Sequence, residues 1–212
     1  MSPLPSDTPP RALEQARRVL RCHREGVLLS DDVAHPCRFI IDPATGELIL
    51  RVGRDVLLAH EVVLHVPEEE TPAAGVASVQ LLLDLHETDA DADPACDRHT
   101  AAHPGDDAPA FARAAIVSGR LAGEVFEGRD VMAPNQLARG ERAMLARLNE
   151  DRAALRRAAL RLSGLDIPDP LAVAADRFGF DVRAAFGVVR AEFDRPARDA
   201  DDALAILERL LS

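Results

Sequence analysis

The feature that most constrains this chain is a change in its apolar period. Between Val27 and Phe126 the apolar residues come in short runs parted by Gly, Pro and Asp, whereas from Asn135 they recur at helical spacing. Six or seven short strands after one helix predict a compact barrel or sandwich, and the remainder, in which Leu148-Asn149-Glu150-Asp151 opens a helix-like run and Ala175 to Asp181 punctuates two strand-like runs, predicts a second, smaller unit. The 212 residues are enough for both to bury a core.

Four prolines within residues 1–10 predict a frayed leader, with order beginning near Arg11. From there to Glu25, Leu13, Ala16, Val19, Leu20 and His23 share a helical face, and Gly26 is expected to end it. Val27 to Ser30 reads as a strand. Cys37 to Asp42 and Glu47 to Val52 read as a hairpin, because Asp42-Pro43-Ala44-Thr45-Gly46 supplies both a turn-setting Pro and a Gly that tolerates positive φ. Further strands are expected over Val62–Val66, Val76–Leu85, Ala112–Ser118 and Leu121–Phe126, with Gly119 as a kink between the last two. Residues 84–108 are acidic and alanine-rich and read as a flexible insertion. A helical pattern runs from Asn135, a candidate cap, to Leu162, ending at Ser163-Gly164 and the Pro168, Pro170 pair. A last amphipathic helix is expected over Asp199–Leu211.

Composition removes several chemistries. All 25 basic residues are Arg, and Tyr and Trp are absent, so Schiff-base, Lys-base and Tyr-donor mechanisms are excluded. A net charge of -11 argues against a nucleic-acid partner, which requires a basic surface to release counterions. Cys22, Cys37 and Cys96 are odd in number and far apart, as suits a reducing compartment. With no export signal in the first ten residues and no apolar run near 18 residues, the expectation is a cytoplasmic protein without a membrane partner.

Several motifs carry a family resemblance. Ala16-Arg17-Arg18-Val19-Leu20-Arg21 precedes Gly26-Val27-Leu28, and Leu57-Leu58-Ala59-His60 with Val63-Leu64 is similar to a Leu-Ala-x-His-Thr-x-Asn-Leu signature. Ala112-Arg113 leads to Gly119-Arg120-Leu121. Toward the end come Leu148-Asn149-Glu150-Asp151, then Ala175-Asp176-Arg177-Phe178-Gly179-Phe180-Asp181, then Val189-Arg190-Ala191-Glu192-Phe193-Asp194-Arg195-Pro196. Together these resemble haem-utilisation proteins of the HugZ type. The resemblance implies an α+β fold: a split β-barrel related to pyridoxamine-phosphate oxidases over residues 11–134, then a small C-terminal α+β domain over 135–212. It also implies a homodimer, because related barrels bind cofactors at a dimer interface.

For function the resemblance implies a haem-associated binding or regulatory protein whose catalytic apparatus is degenerate. An FMN-dependent oxidoreductase is the first alternative. A cofactor-free interaction module, with a protein partner in tetrapyrrole metabolism, is the second. His60 lies in the barrel signature and is the candidate iron ligand or phosphate donor. Arg38, Arg51 and Arg54 are the candidate phosphate clamp. Gly53, Glu61 and Val62 or Val63 stand where the family offers Ser, Thr and Asn near a flavin phosphate, and a carboxylate there repels it, so haem is favoured over FMN. No His follows His103, and Arg152 stands where relatives often carry His, so haem degradation by the family route is not expected.

Outside the resemblance, Cys96, His99 and His103 have C-x2-H-x3-H spacing within the acidic stretch, a donor set suited to zinc or another borderline metal. Asp89-x-Asp91-x-Asp93 lacks the glycine and distal Glu of a calcium loop. His65 and His86 read as ordinary strand positions. Asp176 and Asp181 flank Phe178-Gly179-Phe180 and are expected to fix that turn by accepting backbone hydrogen bonds. No Ser-His-Asp set or glycine-rich phosphate loop can be assembled from spacing, which argues against a hydrolase.

Overall fold

The computed structural model describes residues 10–67 and 78–212. The leader expected up to residue 9 and the first two residues of the strand expected from Val76 lie outside the described residues. The chain divides into two compact units, one of residues 1–100 with 105–133 and one of 101–104 with 134–212.

In the first unit α1 (Pro10–Cys22) leads into β1 (Glu25–Ser30), β2 (Val33–Ile41) and β3 (Leu48–Val52). The short α2 (Arg54–Leu57), β4 (Val62–Val66), β5 (Val79–Thr88), α3 (Pro94–Ala102), β6 (Ala110–Leu121), β7 (Glu124–Glu127) and α4 (Gly128–Val131) follow. The sheet order is β3-β2-β1-β4-β5-β6-β7, and β3 also pairs with β6. That extra pairing closes six antiparallel strands into a barrel, which leaves those six without an open edge. The α+β class with a barrel is as expected from the sequence.

Alternation builds the interior. Leu28, Phe39, Leu48, Leu50, Leu64, Leu81, Ala112 and Ala114 are buried within one apolar cluster. Each such Leu contributes roughly 1.5–3 kcal/mol by leaving water, so inward alternation on every strand suffices to define the core. Asp31 and Asp32 turn β1 into β2 with φ of 45° and 68°. This is the mirror-image two-residue hairpin turn, here made by Asp-Asp instead of Asn-Gly. Sequence reading passed over that hairpin and carried α1 too far. The helix stops at Cys22, and Gly26 lies within β1, where a Cβ would come 2.4 Å from the His65 carbonyl of β4.

Two further expectations are corrected. Gly119 does not kink the sheet: β6 runs through it to Leu121, and the chain reverses at Ala122-Gly123. The glycine instead makes room for the cross-strand Phe126 ring, which a Cβ would approach to 2.1 Å. The acidic stretch over 84–108 is not a structureless loop. β5 extends to Thr88, α3 begins at Pro94, and Asp93 is buried. The cause is Arg113 on β6, whose guanidinium donates to both Asp93 oxygens at 2.6 and 2.9 Å, to Asp42 at 2.7 Å and to Glu47 at 2.9 Å. Four charge-assisted bonds to three carboxylates fasten the start of α3 and the β2–β3 turn to the barrel wall.

The second unit contains α5 (Ala138–Glu150), α6 (Arg152–Ser163), a sheet of β8 (Leu171–Asp176), β9 (Gly179–Ala184) and β10 (Gly187–Glu192), and α7 (Ala200–Leu211). The helical pattern over 135–162 is two helices divided at Asp151, where a helix opening is expected; its carboxylate accepts from the Ala153 and Ala154 N–H groups and starts α6. Asn135 does not cap α5; its Oδ1 accepts from the Leu137 N–H and its Nδ2 donates to the Ala175 carbonyl. Asp199 caps the last helix by accepting from the Asp202 N–H. Met144, Leu148, Leu155, Phe180, Val182 and Leu207 lie at the centre of this unit's core.

Candidate functional site

The register Phe39↔Leu50 between β2 and β3 places Arg38 and Arg51 next along their strands, and both side chains line one cleft of about 510 Å³ in the barrel unit. His23, Glu25, Cys37 and residues 105–108 before β6 also line it. The volume lies within the roughly 300–1,000 Å³ of clefts that take cofactor-sized molecules.

Each group is held from behind. The Arg38 Nε donates to Glu25 at 3.2 Å. The Arg51 guanidinium donates to the Asp106 carbonyl and lies over the Phe111 ring at 4.8 Å. Its Nε–H is buried and has no acceptor among the described residues. Such a donor costs free energy unless something in the cleft satisfies it. His99 and Phe111 form a T-shaped pair with ring centroids 5.6 Å apart. The His99 Nε2 lies 3.1 Å from the Arg38 carbonyl and 3.7 Å from Asp106, so this fully buried imidazole braces both of these cleft segments. Burial holds its pKa below the ordinary value against the upward pull of the Arg38 carbonyl and Asp106.

Two cleft groups have defined protonation. Burial, assisted by the adjacent Arg24 charge, lowers the His23 pKa, so its imidazole is neutral at pH 7 and free to act as a ligand. Burial, followed by Asp106 and Glu25, pushes the Cys37 thiol up to about 12, which keeps it protonated and a poor metal ligand or nucleophile.

The predicted residues are thus brought together only in part. Arg38 and Arg51 share the cleft, whereas Arg54 is exposed at the start of α2 and His60 is exposed before β4, with its backbone N–H on Asp31 at 3.2 Å. Neither lines the cleft. Cys96 and His99 lie on α3 and His103 follows it, yet among the described residues no three His, Cys, Asp or Glu side chains are grouped to hold a metal ion. The reason is that His99 is committed to the Arg38 carbonyl and Asp106, while Cys96 is buried with its thiol raised by desolvation. His65 is buried on β4 and His86 is exposed on β5.

Sequence reading missed His23, which it took for the helix's apolar face, and it missed one constellation. Ser30 Oγ lies 3.1 Å from His35 Nε2, with Asp55 at 3.9 Å. Both contacts fall on the same ring nitrogen, so the carboxylate cannot orient the imidazole through Nδ1 as a nucleophilic triad requires. In the second unit, Asp176 does accept the Phe178 N–H at 2.7 Å, as expected for its turn. Asp181 accepts from Arg190 at 3.0 Å, and the same guanidinium reaches Asp176.

No family model and no curated protein matches the chain. Among solved structures it is similar to Atu2129 from Agrobacterium tumefaciens str. C58, a protein of unknown function, at 18% identity over all of both chains with a TM-score of 0.75. That likeness shows the two-unit fold. A heme binding protein from Mycobacterium smegmatis aligns at 19% identity over 96% of this chain and 97% of that one, with a TM-score of 0.47, a superposition too distant to carry an argument about a ligand. Among the described residues no helix is long and apolar enough to cross a membrane.

Proposed function

We propose that the barrel unit is a binding or regulatory module for a planar, carboxylate-bearing cofactor of the haem type. The observation that carries this reading is the Arg38–Arg51 pair on adjacent strands, with the Arg51 Nε–H buried and without an acceptor among the described residues. Two guanidiniums suit two propionates through charge-assisted hydrogen bonds, set against Glu25, Asp106 and Asp107 on the same lining. Haem bound there would supply an iron centre able to take a side-chain ligand. His23, neutral and lining the same cleft, would be the residue to ligate it, and Cys37 is disqualified by its protonation. His60 is the competing ligand, named by the resemblance to HugZ-type proteins but exposed outside the cleft.

The same two arginines fit a flavin phosphate, so FMN is the alternative occupant, without Arg54 in the clamp. Haemin titration with a parallel FMN cell separates them. A saturable Soret band that weakens at least tenfold in Arg38→Ala/Arg51→Ala and shifts in His23→Ala supports the haem reading. A band sensitive only to His60→Ala moves the site out of the cleft. Silence with haemin and quenching with FMN favours the flavin reading; silence in both leaves the cofactor-free interaction module. The homodimer implied by the related barrels has Val117 on β6 and Val125 on β7 exposed to serve it, and sedimentation equilibrium tests it.

A further inference from the structure

We propose that the C-terminal unit carries a binding site of its own, independent of the barrel cleft, for a small apolar carboxylate. A cleft of about 230 Å³ opens between the end of α6, the segment after β10 and the last turns of α7. Its floor is apolar: Phe193 and Ile206 are nearly buried and Leu162 and Leu210 half-buried. Its rim is cationic, formed by Arg161, Arg195 and Arg209.

The three arginines are not equivalent. Arg195 grips Asp202 through both oxygens at 2.7 and 2.8 Å, and Arg198 shares that carboxylate at 3.3 Å. With Asp202 between these two guanidiniums and Asp194 on the same lining, that side of the cleft is balanced in charge, and the net positive charge of the rim comes from Arg161 and Arg209. Arg161 and Arg209 pair with no carboxylate among the described residues. Both lie in the last turns of their helices, where a cation complements the free carbonyls. That accounts for their sign but not for their gathering with Arg195 around an apolar floor, in a chain whose net charge is -11.

The chemistry of the cleft selects its ligand. The rim calls for an anion and the floor for a hydrocarbon tail. Asp194 on the same rim repels a second negative charge, which favours a monoanionic carboxylate over a phosphate ester. The volume falls below the range for drug-sized ligands, so the tail is short. A short acyl acid has all three properties.

The test uses the full chain with three probes, hexanoate, 1-hexanol and acetate, followed by amide chemical shifts in protein NMR. Hexanoate is expected to give saturable shifts in α6, α7 and residues 193–195. Hexanol and acetate should bind at least tenfold more weakly, because each lacks one half of the recognition. Arg161→Gln/Arg209→Gln should lower hexanoate affinity at least tenfold while leaving hexanol unchanged. Equal binding of hexanol and hexanoate to the unmodified chain overturns the proposal without any variant. So do shifts confined to the barrel, the absence of saturation, or indifference to the double substitution. Because hexanoate binding reads α6 and α7 and haemin reads the barrel cleft, either reading can fail alone.

Discussion

Replacing Arg113 with Met removes the hub of the barrel wall while keeping most of the side chain's packing volume. The guanidinium makes four charge-assisted hydrogen bonds to Asp42, Glu47 and Asp93. Glu47 is partly exposed and contributes under about 1 kcal/mol once water screens it. Asp42 and Asp93 are 7% and 9% exposed and would be left close together without a countercharge. Breaking a buried pair from one side costs about 3–5 kcal/mol. Both carboxylates keep local donors, Ala44 N–H and Thr45 Oγ1 for Asp42, Ala95 N–H and Thr88 Oγ1 for Asp93, which favours the lower end of that range. The expected loss is about 3 kcal/mol, or on the order of 10 °C in the barrel's melting temperature. With no Trp or Tyr for fluorescence, differential scanning calorimetry is the suitable assay.

The pH dependence provides an independent check. Hydrogen bonds from Arg113 hold the Asp93 carboxyl below its usual range. In the unmodified protein that contribution is complete above the unfolded carboxylate pKa of about 3.9 and is lost as pH falls through the lower folded value. In Arg113→Met the Asp93 carboxylate binds a proton more readily than in the parent, because the hydrogen bonds that lower its pKa most are gone, so acidification through the carboxylate range narrows the gap between variant and parent. Adding Asp93→Asn should recover part of the loss at pH 7. A loss below about 1 kcal/mol, or a gap that stays constant with pH, would refute the account of Arg113 as an electrostatic hub.

Other outcomes follow from the same structure. Arg190→Met in the second unit should cost roughly 3–5 kcal/mol at pH 7, because Asp181 is 2% exposed and loses its cation; calorimetry should show the C-terminal transition moving while the barrel's stays in place. Burial opposes the Arg190 charge, yet Asp176 and Asp181 outweigh it and raise its pKa, so no accessible alkaline pH should reproduce the variant. Gly119→Ala should destabilise the barrel by about 1–3 kcal/mol through collision with Phe126, and Phe126→Leu in the same chain should relieve it; additive losses would sink this packing argument. Because the His23 pKa is lowered, any haemin spectrum that depends on His23 should persist as pH falls below 6.5, and loss already at pH 7 would count against His23 as the ligand.

The sequence by itself determined the local patterns: alternation in the barrel strands, the Asp42 to Gly46 turn with Gly46 at φ 81°, and the amphipathic face of the last helix. These depend on nearest neighbours along the chain, which is why periodicity and turn chemistry reveal them. The β1–β2 hairpin escaped because Asp31-Asp32 adopts a left-handed turn without the usual glycine, whereas the start of α6 was legible in Leu148-Asn149-Glu150-Asp151, because capping by an Asp is local chemistry. Composition was misleading for residues 84–108, since an aspartate is buried readily once a distant arginine neutralises it, and Arg113 lies 20 positions beyond Asp93. Arg38 and Arg51 were visible as cations, but only β2–β3 register and the bracing of His99 made them one cleft, while Arg54 and His60 fell outside it. The arginine-rimmed cleft of the second unit draws on three segments spread over residues 161–210, a convergence set by tertiary packing and not by sequence spacing.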